Sequence, residues 1–363
     1  MESRPPRIVS FDHRSLAVAA QNRRFGAARV SKRYAAFAAV AVAALASAQS
    51  WVPQESGATV DLRGASAVNS TVAWASGAKG VFLRTTDGGM NWNFGAVPAA
   101  GDVDFRGLRA LDAKTAILLS SGLGERSRIY KTIDAGENWQ ALRINPDPKG
   151  FWDALAMWDS MHGIMVGDPV NGRFTIYTTS DGVTWEPLKG PAAGSNEGAF
   201  AASNSCLFVR GLHEAWFGTG GRGGARVLHT DDNGKSWTPA KTPIRGDSES
   251  AGISSLAFSD AMHGVAVGGD YMKPAEAAGS AAWTADGGRT WSASRTSGYR
   301  SAVAYFAPSK MWIATGPSGS DVSTDGGKTW RNFDGAAYYA LSFAGSSGWA
   351  MGPKGAIAKL KTE

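Results

Sequence analysis

Short alternations of apolar and polar residues recur along the chain in pairs, each pair joined by a tight turn and closed by glycine. Ala154-Leu155-Ala156-Met157 leads through a turn into Met161-His162-Gly163-Ile164-Met165-Val166-Gly167, and Ser255-Leu256-Ala257-Phe258 leads into Met262-His263-Gly264-Val265-Ala266-Val267-Gly268. Such runs predict paired β-strands. A more regular phrase, Ser/Thr-x-Asp-x-Gly-x-x-Trp, follows these pairs and is first seen as Thr85-Thr86-Asp87-Gly88-Gly89-Met90-Asn91-Trp92. It recurs at 132–139, 179–185, 230–237, 284–291 and 323–330, the 179–185 copy reaching Trp185 one residue early. Its aspartates lie 47, 47, 51, 54 and 39 residues apart. A period of that size predicts a solenoid or a propeller rather than an ordinary globular domain.

Between two strands, the Asp-x-Gly of the phrase is hairpin chemistry. The carboxylate accepts backbone N–H bonds across the turn, and glycine takes the positive φ that other residues resist. The tryptophan, five residues on in most copies, returns on the next strand, where its ring can wedge between sheets and bury about 150–250 Å². Asp87, Asp134, Asp181, Asp232, Asp286 and Asp325 are therefore read as structural, because six equivalent sites around a molecule cannot serve one substrate. The phrase resembles the Asp-box, or BNR repeat, of sialidases, sortilin-type receptors and photosystem II stability/assembly factors. All of these are β-propellers.

Each period reads as strand, turn, strand, loop, strand, Asp-box, strand, which is one four-stranded blade. Seven such units begin near Ala65, Gly107, Asp153, Ala199, Ser254, Ser301 and Ala340, and the seventh stops after Leu360 without a box. Its missing strand is expected at the other end of the chain. Trp51-Val52-Pro53-Gln54 looks like the segments that follow the boxes, such as Trp185-Glu186-Pro187-Leu188 and Trp237-Thr238-Pro239-Ala240. The fold expected over 49–363 is an all-β, seven-bladed β-propeller closed by the N-terminal strand of the mature chain, which removes an exposed sheet edge.

Charge changes the picture only at the N-terminus. Residues 1–48 carry eight basic and two acidic side chains of the chain's 37 and 31, leaving 29 against 29, so the mature chain is nearly neutral and gives no reason to expect nucleic acid or an anionic membrane. The 1–48 segment has a basic stretch ending at Lys32-Arg33, an apolar run over 34–46 and Ala46-Ser47-Ala48 before Gln49. It reads as a leader for export with cleavage after Ala48. The apolar run is short for a membrane span, and an uncleaved anchor is the alternative. Cys206 is the one cysteine, which excludes an intrachain disulfide and is read as a buried strand residue.

Strand alternation sorts the candidate chemistry by face. The turns within strand pairs, including His162 and His263, fall with the boxes. The strand entries and the longer loops emerge on the opposite, channel face. There Arg63, Arg106 and Arg300 take nearly equivalent positions, with Trp152, Asp153, Glu197, Tyr338 and Tyr339 close by, and Asp168, Asp270, Asp321, Arg222 and Lys273 come from the loops. The expected binding set is Arg63, Arg106, Trp152, Asp168, Glu197, Asp270, Arg300 and Tyr339. Arginine forks beside aromatic rings suit a carboxylate or a peptide tail. Inward carboxylates could instead serve glycosidic acid/base chemistry, and mutual pairing of the Arg and Asp residues is the bland alternative. No His/Cys/carboxylate cluster has zinc spacing, and neither a metal nor a cofactor is expected.

Over nearly the whole mature chain the order of parts is similar to the photosystem II stability/assembly factor family. The resemblance implies an exported, monomeric, non-catalytic scaffold with no membrane span in its mature part. It would hold a protein partner, such as a membrane-protein assembly intermediate, in the periplasm or thylakoid lumen, or outside the cell. Arg63, Arg106 and Arg300 are the positions that would form its binding patch. A periplasmic glycan-active enzyme is the alternative, but the Phe/Tyr-Arg-Ile-Pro motif of sialidases is missing; Arg128-Ile129-Tyr130 is the nearest string.

Overall fold

The computed structural model describes residues 49–362. The leader, cleavage site and alternative anchor expected over 1–48 lie outside the described residues. Seven antiparallel sheets follow one another, six with four strands and one with six. Their inner strands are Leu62–Ala67, Phe105–Ala110, Trp152–Met157, Leu207–Arg210, Ala251–Phe258, Ala302–Phe306 and Ala340–Ala344. Each packs on the next, and the last packs on the first. The architecture is the expected seven-bladed β-propeller.

The seventh blade takes its outer strand from the start of the described chain. Gln49–Gln54 pairs antiparallel with Ile357–Thr362, in register from Gln49 opposite Thr362 to Gln54 opposite Ile357. Pro53 sits on this outer strand, as Pro187 and Pro239 do on theirs, where proline's missing N–H breaks no second ladder.

Blade-to-blade packing supplies the core. Trp74 and Phe82 of blade 1 meet Trp139, the box tryptophan of blade 2, at ring separations of 6.4 and 5.1 Å. Gly136 of that box has φ +93°, and a Cβ there would sit 2.4 Å from the Phe82 ring. The turn therefore needs glycine twice over, for its conformation and for its approach to the preceding blade.

The box aspartates act as turn caps. Asp87 Oδ1 accepts from Thr85 Oγ1 at 2.8 Å and from the Asn91 amide at 2.9 Å, while the Gly89 amide donates to Thr85 Oγ1 at 2.9 Å. The same pattern recurs at Asp134, Asp232, Asp286 and Asp325. In the shortened copy Asp181 caps Val183 and Thr184 instead, and Trp185 is drawn fully into the core. His162 and His263 prove to be turn residues, each bonded through Nδ1 to a capping aspartate at 2.9 Å.

One boundary differs from expectation. The inner strand of blade 4 starts at Leu207, not near Ala199, because residues 199–206 leave the sheet and enter the channel. Cys206 is buried as expected, just ahead of that strand.

The caps make acid stability predictable. Donated bonds from Asn91 and Thr85 hold Asp87 down at about 2. At Asp232 burial works the other way, and bonds from Ser236 and Thr230 outweigh it to give about 2. Depressed carboxyls contribute stability that is complete above their unfolded pKa of about 4 and is lost as pH falls through the folded value. The melting temperature should therefore fall steeply between about pH 4 and pH 2. With Asp87→Asn and Asp232→Asn together it should start lower at neutral pH and fall less over that window. An unchanged acid slope would rule out the caps as its source.

Candidate functional site

A backbone irregularity decides which side chains reach the channel. The inner strands of blades 1, 2, 3 and 5 each carry a register shift near the channel-face end, between Leu62 and Gly64, Phe105 and Gly107, Trp152 and Ala154, and Ile253 and Ser255. A bulge re-aims the extra residue. The residues before the shift, Leu62, Phe105, Trp152 and Ile253, are fully buried in the core. The extra residues are Arg63, Arg106, Asp153 and Ser254, and the first three line a cavity of about 570 Å³ at the channel mouth.

In that cavity Arg106 Nε bonds Asp104 Oδ2 at 2.9 Å, and Arg63 Nε lies 3.8 Å from the same oxygen. Asp61 is 3.7 Å from Arg63, too far for a hydrogen bond. The Arg63 guanidinium stacks over Tyr339, 4.6 Å from the ring centre. Phe200, Tyr271 and Tyr299 form an aromatic wall with edge contacts of 6.3 and 6.5 Å.

Two carboxyls sit below the arginines. Asp168 Oδ1 accepts the Ala199 amide at 2.9 Å, and burial pushes its pKa up to about 6. Asp153 is 1% exposed and neither of its oxygens has a hydrogen-bond partner among the described residues. Burial raises its pKa well above the usual carboxylate range, the Asp168 charge adds to the rise, and Arg106 opposes it. The sign is opposite to that of the Asp-boxes: a raised carboxyl weakens the fold as pH climbs through this range.

Residues 201–205 form the floor. Arg106 Nη1 donates to the Ala201 carbonyl at 3.1 Å, and Ser203 Oγ to the Ser301 carbonyl at 2.8 Å. Asn204 Oδ1 accepts the Leu155 amide at 2.8 Å, and the Ser205 carbonyl accepts the Leu256 amide at 2.8 Å. One segment thus ties together the inner strands or entries of blades 2, 3, 5 and 6. Gly107 permits this, since a Cβ there would come within 2.9 Å of Asn204 Oδ1.

Of the expected binding residues, Arg63, Arg106, Asp168 and Tyr339 converge on the cavity. Trp152 does not, because it precedes the bulge; its ring packs on Tyr177 at 5.3 Å in the core. Glu197 is held by Arg226 Nε at 2.7 Å, Thr219 Oγ1 at 2.6 Å and the Gly194 amide at 2.6 Å, bonds that outweigh burial and lower its pKa. Asp270 is likewise occupied, accepting Ser250 Oγ at 2.7 Å and the Met272 amide at 3.0 Å. Arg222 and Lys273 pair with Glu249 and Glu276 in exposed positions.

Arg300 departs furthest from expectation. The inner strand of blade 6 pairs without a bulge, and Arg300 precedes it. Its side chain turns into the protein to meet Asp321 at 2.8 Å, both being 0% exposed, with Ser318 Oγ and the Tyr299 carbonyl each accepting at 2.9 Å. Asp321, expected in a channel-face loop, lies inside the strand Gly319–Ser323. Sequence reading also passed over Asp104, although Asp-x-Arg recurs as Asp61-Leu62-Arg63 and Asp104-Phe105-Arg106.

A family model for the BNR/Asp-box repeat matches residues 321–332, the segment that carries Asp325 and Trp330. The chain is 23% identical over 253 residues to the photosystem II assembly protein Ycf48 of Thermosynechococcus vestitus, covering 65% of this chain and 51% of that protein. It therefore spans about half the length of this curated relative. Among solved structures, YCF48 bound to a D1 peptide superposes with a TM-score of 0.62 at 17% identity, covering 86% of this chain and 97% of the other. YCF48 from Cyanidioschyzon merolae gives 0.59 at 21% identity, with 86% and 98% covered. At these identities the solved structures establish the fold. The chain is an Asp-box repeat β-propeller that resembles the photosystem II assembly proteins.

The two kinds of arginine separate by mutation. Arg300→Met leaves Asp321 charged and buried without its partner, and should cost about 3–5 kcal/mol in denaturant unfolding. Arg63→Gln, at a half-buried site without a hydrogen bond, should cost under about 1 kcal/mol. Equal losses would contradict the assignment.

Proposed function

We propose that this protein is a non-catalytic scaffold that holds a segment of a protein partner in the channel-face mouth. The observation that carries this reading is Arg63. Its guanidinium lies at the cavity wall, fixed by stacking on Tyr339, yet its N–H donors make no hydrogen bond within the described residues. Arg106 beside it shares the single carboxylate of Asp104. Although Asp61, Asp104, Asp153 and Asp168 lie near the two guanidinium forks, the only carboxylate hydrogen bond that either fork makes among the described residues is Arg106 Nε to Asp104, which leaves donors for a ligand carboxylate or for the carbonyls of an extended peptide. The aromatic wall supplies apolar contact of the kind that anchors peptide side chains.

The relatives support the same reading. One is a photosystem II assembly protein, and a related structure is described as bound to a D1 peptide. Carried to this chain, the likeness supports a membrane-protein assembly intermediate as the partner. The 1–48 sequence pattern supports export, so that the propeller would meet its partner in the periplasm, the thylakoid lumen or outside the cell, and would act there as a monomer. Among the described residues no helix is long and apolar enough to cross a membrane.

Affinity purification from the native host followed by mass spectrometry identifies the partner. Arg63→Glu with Arg106→Glu should abolish its capture in protein whose circular dichroism still shows the folded propeller. Capture that survives both changes would refute the arginine mouth.

One feature favours a second reading. Asp168, at about 6, lies next to the buried Asp153 in the same cavity, and a raised carboxyl beside another is what a glycosidic general acid requires. The scaffold reading predicts no hydrolysis of a panel of aryl glycosides. Hydrolysis that disappears in Asp168→Asn would replace it with the enzymatic one.

A further inference from the structure

A second cavity, of about 440 Å³, opens on the Asp-box side of the channel. Residues 201–205 separate it from the first: Ala201 and Ala202 line the arginine mouth, whereas Ser203, Asn204 and Ser205 line this one. The volume falls within the roughly 300–1,000 Å³ usual for small-molecule sites. Its wall carries two arginines and no carboxylate.

The two arginines are not alike. Arg210 is paired with Glu214, and its guanidinium lies over the Trp216 ring at 5.6 Å. Arg109 has no such compensation. Among the described residues no carboxylate lies within ion-pair distance of it and no acceptor takes a hydrogen bond from it. Its place follows from the repeat, since it stands three residues beyond the bulge arginine of blade 2, the position that Ser66 occupies in blade 1.

The rest of the wall would complement an anion on an apolar body. Ser66 Oγ accepts the Ala110 amide at 2.9 Å and Ser342 Oγ accepts the Ala67 amide at 2.8 Å, but neither hydroxyl donates its own hydrogen to a described acceptor. Tyr305 packs on Trp312 at 5.0 Å and leaves its hydroxyl unbonded. Leu155, Leu256, Val303 and Phe343 supply apolar surface between them. Arg109 is exposed to the open channel, and the protein around it lowers its pKa by burial. An exposed guanidinium without a counter-charge is hydrated, so its N–H fork is available to an anion that enters the cavity.

We propose that the box-side cavity binds a small organic carboxylate, with Arg109 as the anion fork, the Ser66, Ser342 and Tyr305 hydroxyls as further donors, and the apolar wall receiving the rest of the ligand. This site is independent of the partner-binding mouth on the opposite face.

Titration calorimetry on the intact protein with 3-phenylpropanoate, and with the neutral 3-phenylpropanamide as its isostere, tests the assignment. The carboxylate should bind saturably and the amide at least tenfold more weakly. Arg109→Gln should weaken carboxylate binding by about 10- to 100-fold, the range of one charge-assisted bond, and leave the amide unaffected. Arg109→Lys, which keeps the charge, should restore part of the affinity. A melting temperature matching wild type confirms that both variants are folded. The proposal is overturned if carboxylate and amide bind alike, if Arg109→Gln retains wild-type affinity, or if the carboxylate does not bind saturably. It also fails if binding is lost in Arg63→Glu with Arg106→Glu instead, since the anion would then sit in the other mouth.

Discussion

Head-to-tail pairing of Gln49–Gln54 with Ile357–Thr362 is the constraint from which the rest of the molecule takes its shape. A curved row of sheets has two free edges, and unpaired edges invite association with other chains. Here the first strand closes the last blade and reaches both neighbours as well. Trp51 Nε1 donates to Ser320 Oγ at 3.0 Å, and its ring meets Phe333 and Tyr338 at 6.2 and 5.7 Å, which ties blade 7 to blade 6. On the other side, Gln54 Oε1 accepts from Trp92 and Trp349, each at 3.2 Å, and so joins blade 1 to blade 7. Closure brings the inner strands into one ring, and a ring gives the bulge residues of separate blades a common mouth.

The bulges convert that ring into a site. In a regular strand side chains alternate faces, so a residue's position along the strand fixes whether it is buried. Inserting one residue turns Arg63, Arg106 and Asp153 into the channel while Leu62, Phe105 and Trp152 stay in the core. Without the insertion blade 6 buries its arginine instead, and Arg300 with Asp321 becomes an internal ion pair. The same residue type, at nearly the same point of the repeat, thus lines the channel mouth in two blades and forms an internal ion pair in a third.

This accounts for what could and could not be read from the sequence. The boxes, the blade count and the closing strand were legible because each repeats a local pattern: Asp-x-Gly caps a turn wherever it occurs, and Trp51-Val52-Pro53 matches the other outer strands. The bulges were not, since a one-residue register shift leaves no compositional mark. That is why Trp152 and Arg300 were expected in the mouth along with Arg63 and Arg106. The small residues of 199–206 read as a strand entry for a related reason, as Ala and Ser suit either an inner strand or a segment threading between strands. Their true path is set by non-local bonds to Arg106, Leu155, Leu256 and Ser301. Glu197 and Asp270 look available in one dimension, but their partners Arg226, at the start of a strand, and Ser250, in a loop, stand 29 and 20 residues away.

That threading segment gives the channel two ends with different chemistry, one bearing arginines, aromatic rings and buried carboxyls, the other an arginine with no counter-charge. Both rest on inner strands held in place by the closed ring, so the pairing at its seam bears on everything else. Native-state hydrogen exchange at the seam tests it most directly. If the ring is closed as described, the amides bonded between Gln49–Gln54 and Ile357–Thr362 exchange only with global unfolding, at the same free energy as the inner strands. Rapid exchange of those amides through local opening, with the inner strands still protected, would contradict it.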